Sequence, residues 1–210
     1  MTAPTFPAVL QDYFGDYLLN QKNVSSRTVE SYRDTFRLFL KHVQERTAKS
    51  PVSSTFSDLE ADTVLAFLRH LEESRHNGVR TRNSRLAAIR SFMKYASLRV
   101  PDSLRGFESI MAIPMKRFER RILGFLTRGE VDAILNATDA GTWSGRRDRV
   151  MFTVFYNTGG RVSEIAGLNV ADLDLERSSA VRLHGKGRKE RVVPLWHGTA
   201  KQLRQWLEHI

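Results

Sequence analysis

TGGRVSEIAGLNVADLDLERSSAVRLHGKGRKERVVPL, residues 158 to 195, is the stretch around which the chain is organised. Its glycine pair, Gly159 and Gly160, leads into a short apolar run that reads as a helix with Arg161 in its first turn. After it come a strand over Val181 to His184, a tight basic turn over Gly185 to Lys189, and a returning strand that ends at Pro194. With no side chain at two successive positions, a ligand can approach the backbone and the helix start, where an anion is favoured. A guanidinium there is always charged and offers a fixed fork of donors that matches the paired oxygens of a phosphate. Lys186 stands between two glycines at the tip of the hairpin. Its flexible stem can swing into a groove, and its pKa can fall when it is desolvated beside other cations, which is what a proton donor needs. The plainer reading makes Arg161 a surface arginine paired to Glu164 and GKGRKER a solvated turn. Either motif alone is evenly balanced between the two readings, and their occurrence together favours the first.

TG-x-R-x-SE followed about two dozen residues later by GKG-x-K-x-R-x-x-PL resembles the tyrosine recombinase, or phage integrase, family. The resemblance implies a metal-free and cofactor-free DNA strand exchange. A tyrosine attacks the scissile phosphate to form a 3′-phosphotyrosine, and arginines stabilise the charge on the crowded phosphorus. It assigns Arg161 as the first catalytic arginine and Lys186 as the group that protonates the leaving 5′ oxygen. Arg188, Lys189 and Arg191 of the same hairpin fall among the DNA-contacting residues. Gly160 departs from the family pattern, which has Leu, Ala or Met between glycine and arginine, and its backbone freedom is expected to loosen Arg161.

Composition agrees with a polyanionic partner. The 210 residues carry a formal net charge of +10, with 41% hydrophobic and 27% charged residues. A charge of this sign and size speaks to partners, and nucleic acid is the first to consider. Zero cysteines exclude disulfides and thiolate zinc sites, and six scattered histidines show no ligand spacing. No metal is expected. No apolar run approaches a membrane span, and MTAPTFPAVLQDYF lacks the charged start and apolar middle of a signal peptide, so the expected location is cytoplasmic, without a membrane partner.

Taken in order, the chain predicts a mainly α protein. Val9, Leu10, Tyr13, Phe14, Tyr17 and Leu18 keep helical spacing over Pro7 to Asn20. Ser25 or Ser26 caps a second helix whose stripe is Val29, Tyr32, Phe36, Phe39, Leu40 and Val43. Ser57 and Glu60 match a capping box before a third helix with Val64, Phe67, Leu68 and Leu71. The fourth helix, Thr81 to Ser97, lies in a span without acidic residues from Glu73 to Asp102, and Arg80, Arg82, Arg85, Arg90 and Lys94 mark it as a phosphate-facing surface. Its TRNSRLAAIRSFMKYAS run resembles the family's helical core-binding domain, one jaw of a clamp around duplex DNA; the resemblance implies a SAM-like four-helix domain over 1–100. Residues 101–121 lose periodicity and read as a basic interdomain linker, with Lys116 and Arg117 placed to track the DNA backbone.

Residues 122–210 then read as the N-terminal part of an α+β catalytic domain with a small antiparallel hairpin or sheet. The Thr127 to Glu130 capping box starts a helix with Val131, Ile134 and Leu135 inward. Arg146 to Asn157 is a buried helix that delivers the chain to Arg161, and Leu203, Trp206, Leu207 and Ile210 space out a last helix.

The family pattern continues with an H-x-L-R-H motif, a further histidine or tryptophan, and the nucleophilic tyrosine, none of which follows Lys186 here. Tyr13, Tyr17, Tyr32, Tyr95 and Tyr156 all precede it. Two explanations stay open: an inactive truncated recombinase, or a piece of a longer enzyme. Whether the chain is itself an enzyme is open with them. The rival functions are a non-catalytic DNA-binding remnant that occupies recombination sites or interferes with a full-length recombinase, and a basic RNA-binding protein. Expected partners are double-stranded DNA and other recombinase subunits on that DNA.

Overall fold

The structure, a computed structural model, describes residues 4–119, 124–185, 187 and 189–209. It divides into two compact units, Met1–Arg121 and Ile122–Ile210. The architecture is mainly helical, with one small antiparallel sheet in the second unit. No helix among the described residues is long and apolar enough to cross a membrane.

The first unit is built from α1 (Phe6–Asp12), α2 (Ser26–Thr47), α3 (Ala61–Glu73), α4 (Val79–Ser97) and α5 (Leu104–Ala112). The helix of α1 runs on as π-type turns over Tyr13–Gln21, closed by Lys22 N–H donating to the Tyr17 carbonyl at 2.8 Å. Ser25 is the cap of α2, its Oγ accepting from Thr28 N–H at 3.4 Å. The expected Ser57–Glu60 capping box does not form. Thr55 and Asp58 form a box two residues earlier, the Thr55 N–H donating to Asp58 Oδ2 at 2.8 Å around a 3₁₀ turn, Phe56–Asp58, and α3 starts at Ala61. The T-F-S-D quartet has the same spacing as S-x-x-E, and the aromatic Phe56 is drawn against the core, which places the box at Thr55.

Phe92 on α4 lies at the centre of the aromatic core, with ring centroids 5.2 Å from Phe36, 5.3 Å from Tyr13 and 5.9 Å from Phe6. The tyrosines of this unit belong to the same cluster: Tyr13 and Tyr95 are buried, and Tyr17 and Tyr32 pack against them. Tyr13 Oη donates to Ser91 Oγ at 2.8 Å, which satisfies a phenol that burial pushes well up in pKa. Part of the segment read as a linker is in fact core. After a 3₁₀ turn at Pro101–Ser103, α5 buries Phe107 and Ile110, with Ile113 behind them. The short helix has only those few apolar positions, too few to stand out as a period between Pro101 and Pro114.

In the second unit, α6 (Arg128–Asn136) starts at the expected box, with Thr127 N–H donating to Glu130 Oε2 at 2.7 Å. α7 (Trp143–Thr158) ends at Gly159, whose φ of 59° is the left-handed cap that glycine adopts without a steric cost. One turn of helix, α8 (Val162–Ile165), leads through a 3₁₀ turn at Val170–Asp172 to β1 (Leu173–Asp174), β2 (Ala180–His184) and β3 (Glu190–Pro194). The sheet order is β1-β2-β3, antiparallel throughout, with Val181 opposite Val193 and His184 opposite Glu190. α9 (His197–Leu207) follows, and Leu203 joins Val154, Ile165, Val181 and Leu183 in the core.

α7 is less buried than its composition implies. Only Gly145, Thr153 and Val154 are fully enclosed; Phe152 and Phe155 are half-buried and Tyr156 is 45% exposed. Together with Leu126, Ile134 and Leu135 they line an open apolar groove, because the short α6 covers α7 only through Val131 and its neighbours. Ile134, expected inward, is exposed for the same reason.

Phe92→Ala is expected to destabilise the first unit by about 3 to 5 kcal/mol, the range for emptying a fully enclosed aromatic site. Leu98→Ala, at a position 81% exposed, should stay within about 0.5 kcal/mol. Urea unfolding of the two variants checks both; equal effects would mean that the core is not centred where these contacts place it.

Candidate nucleic-acid and phosphate-binding site

Arg161 is the cap residue of α8, with extended backbone angles, so it precedes the helix instead of lying in its first turn. A four-residue helix has little dipole to offer an anion, and the setting of Arg161 comes from a side chain, Glu164. That carboxylate is 2% exposed and takes four hydrogen bonds. Oε1 accepts from Arg161 Nη1 at 2.7 Å and Arg191 Nη1 at 3.0 Å; Oε2 accepts from Arg161 N–H at 2.8 Å and Arg191 Nη2 at 2.7 Å. The paired fork of Arg191, then the Arg161 N–H, hold its pKa down to about 2. Arg191 in turn is pushed above its ordinary value by the same carboxylate.

The pairing of Arg161 with Glu164 is thus real, but it is not a solvated surface contact. Arg161 keeps 68% of its side chain exposed, so one nitrogen is pinned and the rest of the guanidinium faces outward. Two guanidiniums against one carboxylate leave the cluster net positive, which suits a phosphate oxygen. Glu164 is the residue that the sequence reading passed over as a functional group; its signal was the R-x-x-E spacing at a helix start, where the carboxylate reaches back to the cap.

Gly160 stands where a side chain would meet its neighbour. A β-carbon there would lie 2.6 Å from Ile165 Cδ1 and 2.9 Å from Cγ1, so the space is filled by Ile165, and Glu164 fixes the Arg161 N–H.

The hairpin root sits against the same cluster. A β-carbon on Gly185 would be 3.2 Å from Glu164 Oε1 and 3.8 Å from Arg161 Nη1, and Gly185 N–H closes the turn on the Lys189 carbonyl at 2.6 Å. Lys186 and Arg188 lie outside the described residues, and Lys189 is exposed. On the strand below, His184 is clamped on both ring nitrogens: Nε2 meets Asp172 Oδ1 at 2.7 Å and Nδ1 meets Glu190 Oε1 at 3.1 Å. The Asp172 contact is the main reason that the His184 pKa is raised.

The basic residues of the first unit divide. Arg80 and Lys94 are exposed, and Arg85 and Arg90 are half-buried. Arg82 is only 4% exposed, and its Nη1 donates to the Pro114 carbonyl at 3.1 Å, so it is a core arginine and not a phosphate contact. Lys116 gives its ammonium to both oxygens of Glu72 at 2.8 Å, whereas Arg117 is exposed with no ion pair to a described residue. A helix that carries only positive charge must still bury one face, and the register of α4 puts Arg82 on that face with Leu86 and Ile89.

Comparison with known proteins gives two family matches. The phage integrase family model matches residues 124–210, and the phage integrase N-terminal SAM-like domain matches residues 11–99. Among relatives, y4rC and y4rD of Sinorhizobium fredii, both named as integrase/recombinase proteins, are 44% and 41% identical over 95% and 93% of the chain. The tyrosine recombinase XerC of Chlamydia caviae is 30% identical over 93%. The chain spans 60% of the length of y4rC, 70% of y4rD and 65% of XerC. Among solved structures, the Tn1549 transposon integrase in complex with a circular intermediate DNA aligns over 96% of this chain and 65% of its own, with a TM-score of 0.65 at 14% identity. The XerH site-specific recombinase bound to palindromic difH substrate aligns over 89% and 54%, with a TM-score of 0.63 at 19% identity. At such identities the likeness is one of fold.

The His184 clamp has a pH signature. Its folded pKa is raised above the ordinary 6.5, so the stabilisation is complete below the unfolded value and is lost as pH rises through the folded one. The melting temperature of the second unit should therefore fall as pH climbs from 6.5, and His184→Gln should flatten that fall. An unchanged slope in the variant would place the titrating group elsewhere.

Proposed function

The chain belongs to the tyrosine recombinase, or phage integrase, family, and from that membership we infer that it binds double-stranded DNA and presents part of a strand-exchange site to one phosphodiester. The observation that carries this reading is Glu164: a buried carboxylate that ties Arg161 at the helix cap to Arg191 on the hairpin while the outer edge of Arg161 stays open. Such a pair of pre-set guanidinium groups can accept the charge that develops on the non-bridging phosphate oxygens without reorganising during the reaction. Lys186, one residue beyond the Gly185 that abuts the cluster, is then the proton donor to the leaving 5′ oxygen. The step also needs an attacking oxygen: a tyrosine hydroxyl gives up its proton to solvent as its oxygen bonds to phosphorus, the P–O5′ bond breaks, and the 5′ oxygen leaves with the proton from Lys186.

That nucleophile is not among the residues of this chain. Tyr156 is the one tyrosine of the second unit, and it packs edge-on to Trp196 with centroids 5.4 Å apart on the apolar groove. Tyr13, Tyr17, Tyr32 and Tyr95 are committed to the core of the first unit. The chain by itself is therefore a duplex-binding module with half of a catalytic set, and catalysis by groups that act as a unit collapses when one member is missing. The wider assembly, with further recombinase subunits on the same DNA, follows from the family in the same way.

Duplex affinity should be steeply salt-dependent: with roughly six phosphate contacts it falls about 10³-fold between 50 and 200 mM salt. Joint replacement of Arg85, Arg90 and Lys94 by Ala should weaken binding broadly, and Arg161→Ala only slightly, since it touches a single phosphate. A flat salt titration would sink the duplex reading. On a nicked suicide duplex, a denaturing gel should show no protein-linked strand; a covalent band that disappears in Tyr156→Phe would make this chain an active enzyme with Tyr156 as nucleophile.

A further inference from the structure

Residues 113 to 118 form neither helix nor strand, yet the first unit holds four of them, Ile113, Pro114, Lys116 and Phe118. Ile113 is buried in the core at 5% exposure. The carbonyl of Pro114 accepts from the buried Arg82 at 3.1 Å. At Lys116 the side chain of Asn83 does what a neighbouring strand would do: its Oδ1 accepts from Lys116 N–H at 3.0 Å, and its Nδ2 donates to the Lys116 carbonyl at 2.7 Å. Arg82 Nη1 also donates to that Oδ1 at 3.0 Å, which orients the amide. The Lys116 ammonium is held by Glu72, and the ring of Phe118 lies 5.4 Å from the guanidinium of Arg80.

A primary amide bonded to both the N–H and the C=O of one residue fixes the direction of that residue's backbone. The grip is also costly to release. Arg82 is enclosed, and its Nε already lacks a partner, so losing the Pro114 carbonyl would strand another donor of a buried charge. Neighbouring residues in this strap have opposite fates: Glu72 neutralises Lys116, while Arg117 stands exposed with no ion pair to a described residue.

We propose that Asn83 is a positioning residue for DNA binding, which fixes the Lys116 backbone and so holds Arg117 beside α4 as a phosphate contact. The proposal rests on the duplex-binding reading above. Asn83 does not touch DNA in this account; it acts through Arg117.

The test uses the full chain with Asn83→Ala, Arg117→Ala and the double variant. Each of the two Asn83 hydrogen bonds favours the closed strap by about fivefold, so Asn83→Ala should raise the rate of tryptic cleavage after Lys116 and Arg117 by about 25-fold. One phosphate contact contributes about fivefold to affinity near 0.15 M salt, from a slope of about 0.9 per contact. Asn83→Ala and Arg117→Ala should each weaken duplex binding by about fivefold and lower the salt slope by about 0.9, and the double variant should be no worse than either. Glu72→Gln, which loosens the strap from another side, should repeat the faster cleavage and the lack of additivity should Asn83→Ala fail to fold. Losses that multiply to about 25-fold, or faster cleavage with unchanged affinity, would overturn the proposal while leaving the duplex reading intact. A wild-type chain that does not bind duplex at all overturns the reading itself, and the proposal with it.

Discussion

A carboxylate that is 2% exposed has to find its hydrogen bonds inside the protein, and Glu164 finds all four of them on two arginines from distant parts of the chain. Removing a charge from water costs several kcal/mol, which is recovered only if geometry and partners are complete. Glu164 therefore does more than pair with Arg161. It requires that the β2–β3 hairpin be folded against the α7–α8 corner, because half of its donors come from Arg191. The close fit of Gly185 against the same oxygen goes with that requirement, since a β-carbon at the hairpin root would stand 3.2 Å from Glu164 Oε1 and crowd it. The exposed edge of Arg161 is held where it is by a contact on the opposite, dry side of its guanidinium.

Charge content and charge placement are separate properties of this chain. A span from Glu73 to Asp102 without one acidic residue marks α4 as basic, but a helix of a small domain must turn one side inward. Arg82 occupies that side and Lys116 answers to Glu72, whereas Arg75, Arg80, Lys94, Arg99 and Arg117 are exposed. A net charge of +10 therefore says nothing of which cations a polyanion can reach; that is decided by burial and ion pairing, residue by residue.

Much of the architecture was legible in the sequence because it rests on local signals. The Thr127–Glu130 box, the stripes of α2 to α4 and the glycine-flanked basic turn between β2 and β3 each announce themselves within a dozen or so residues. What could not be read depends on distant partners. α5 is too short to show a period, and β1 has two residues whose strand character exists only through Val181 and Ala180. The incomplete burial of α7 reflects how little of it α6 covers, a matter of element length and not of composition. Within the site, Arg161 stood out by its motif, whereas the role of Glu164 emerges only when Arg191, 27 residues away, arrives at hydrogen-bonding distance. Burial of Arg82 was hidden for a related reason, since its acceptor is the carbonyl of Pro114, 32 positions on.

The contact between Gly160 and Ile165 sets a rule for how this corner can be inherited. Ile165 Cδ1 occupies the place where a β-carbon of residue 160 would stand, and Ile165 is itself part of the core that supports β2. A lineage that acquires a side chain before the arginine must give up volume, or choose another rotamer, at position 165. Cores transmit such changes because they have few voids to absorb them. Positions 160 and 165 are thus coupled through packing, across the one arginine that lies between them.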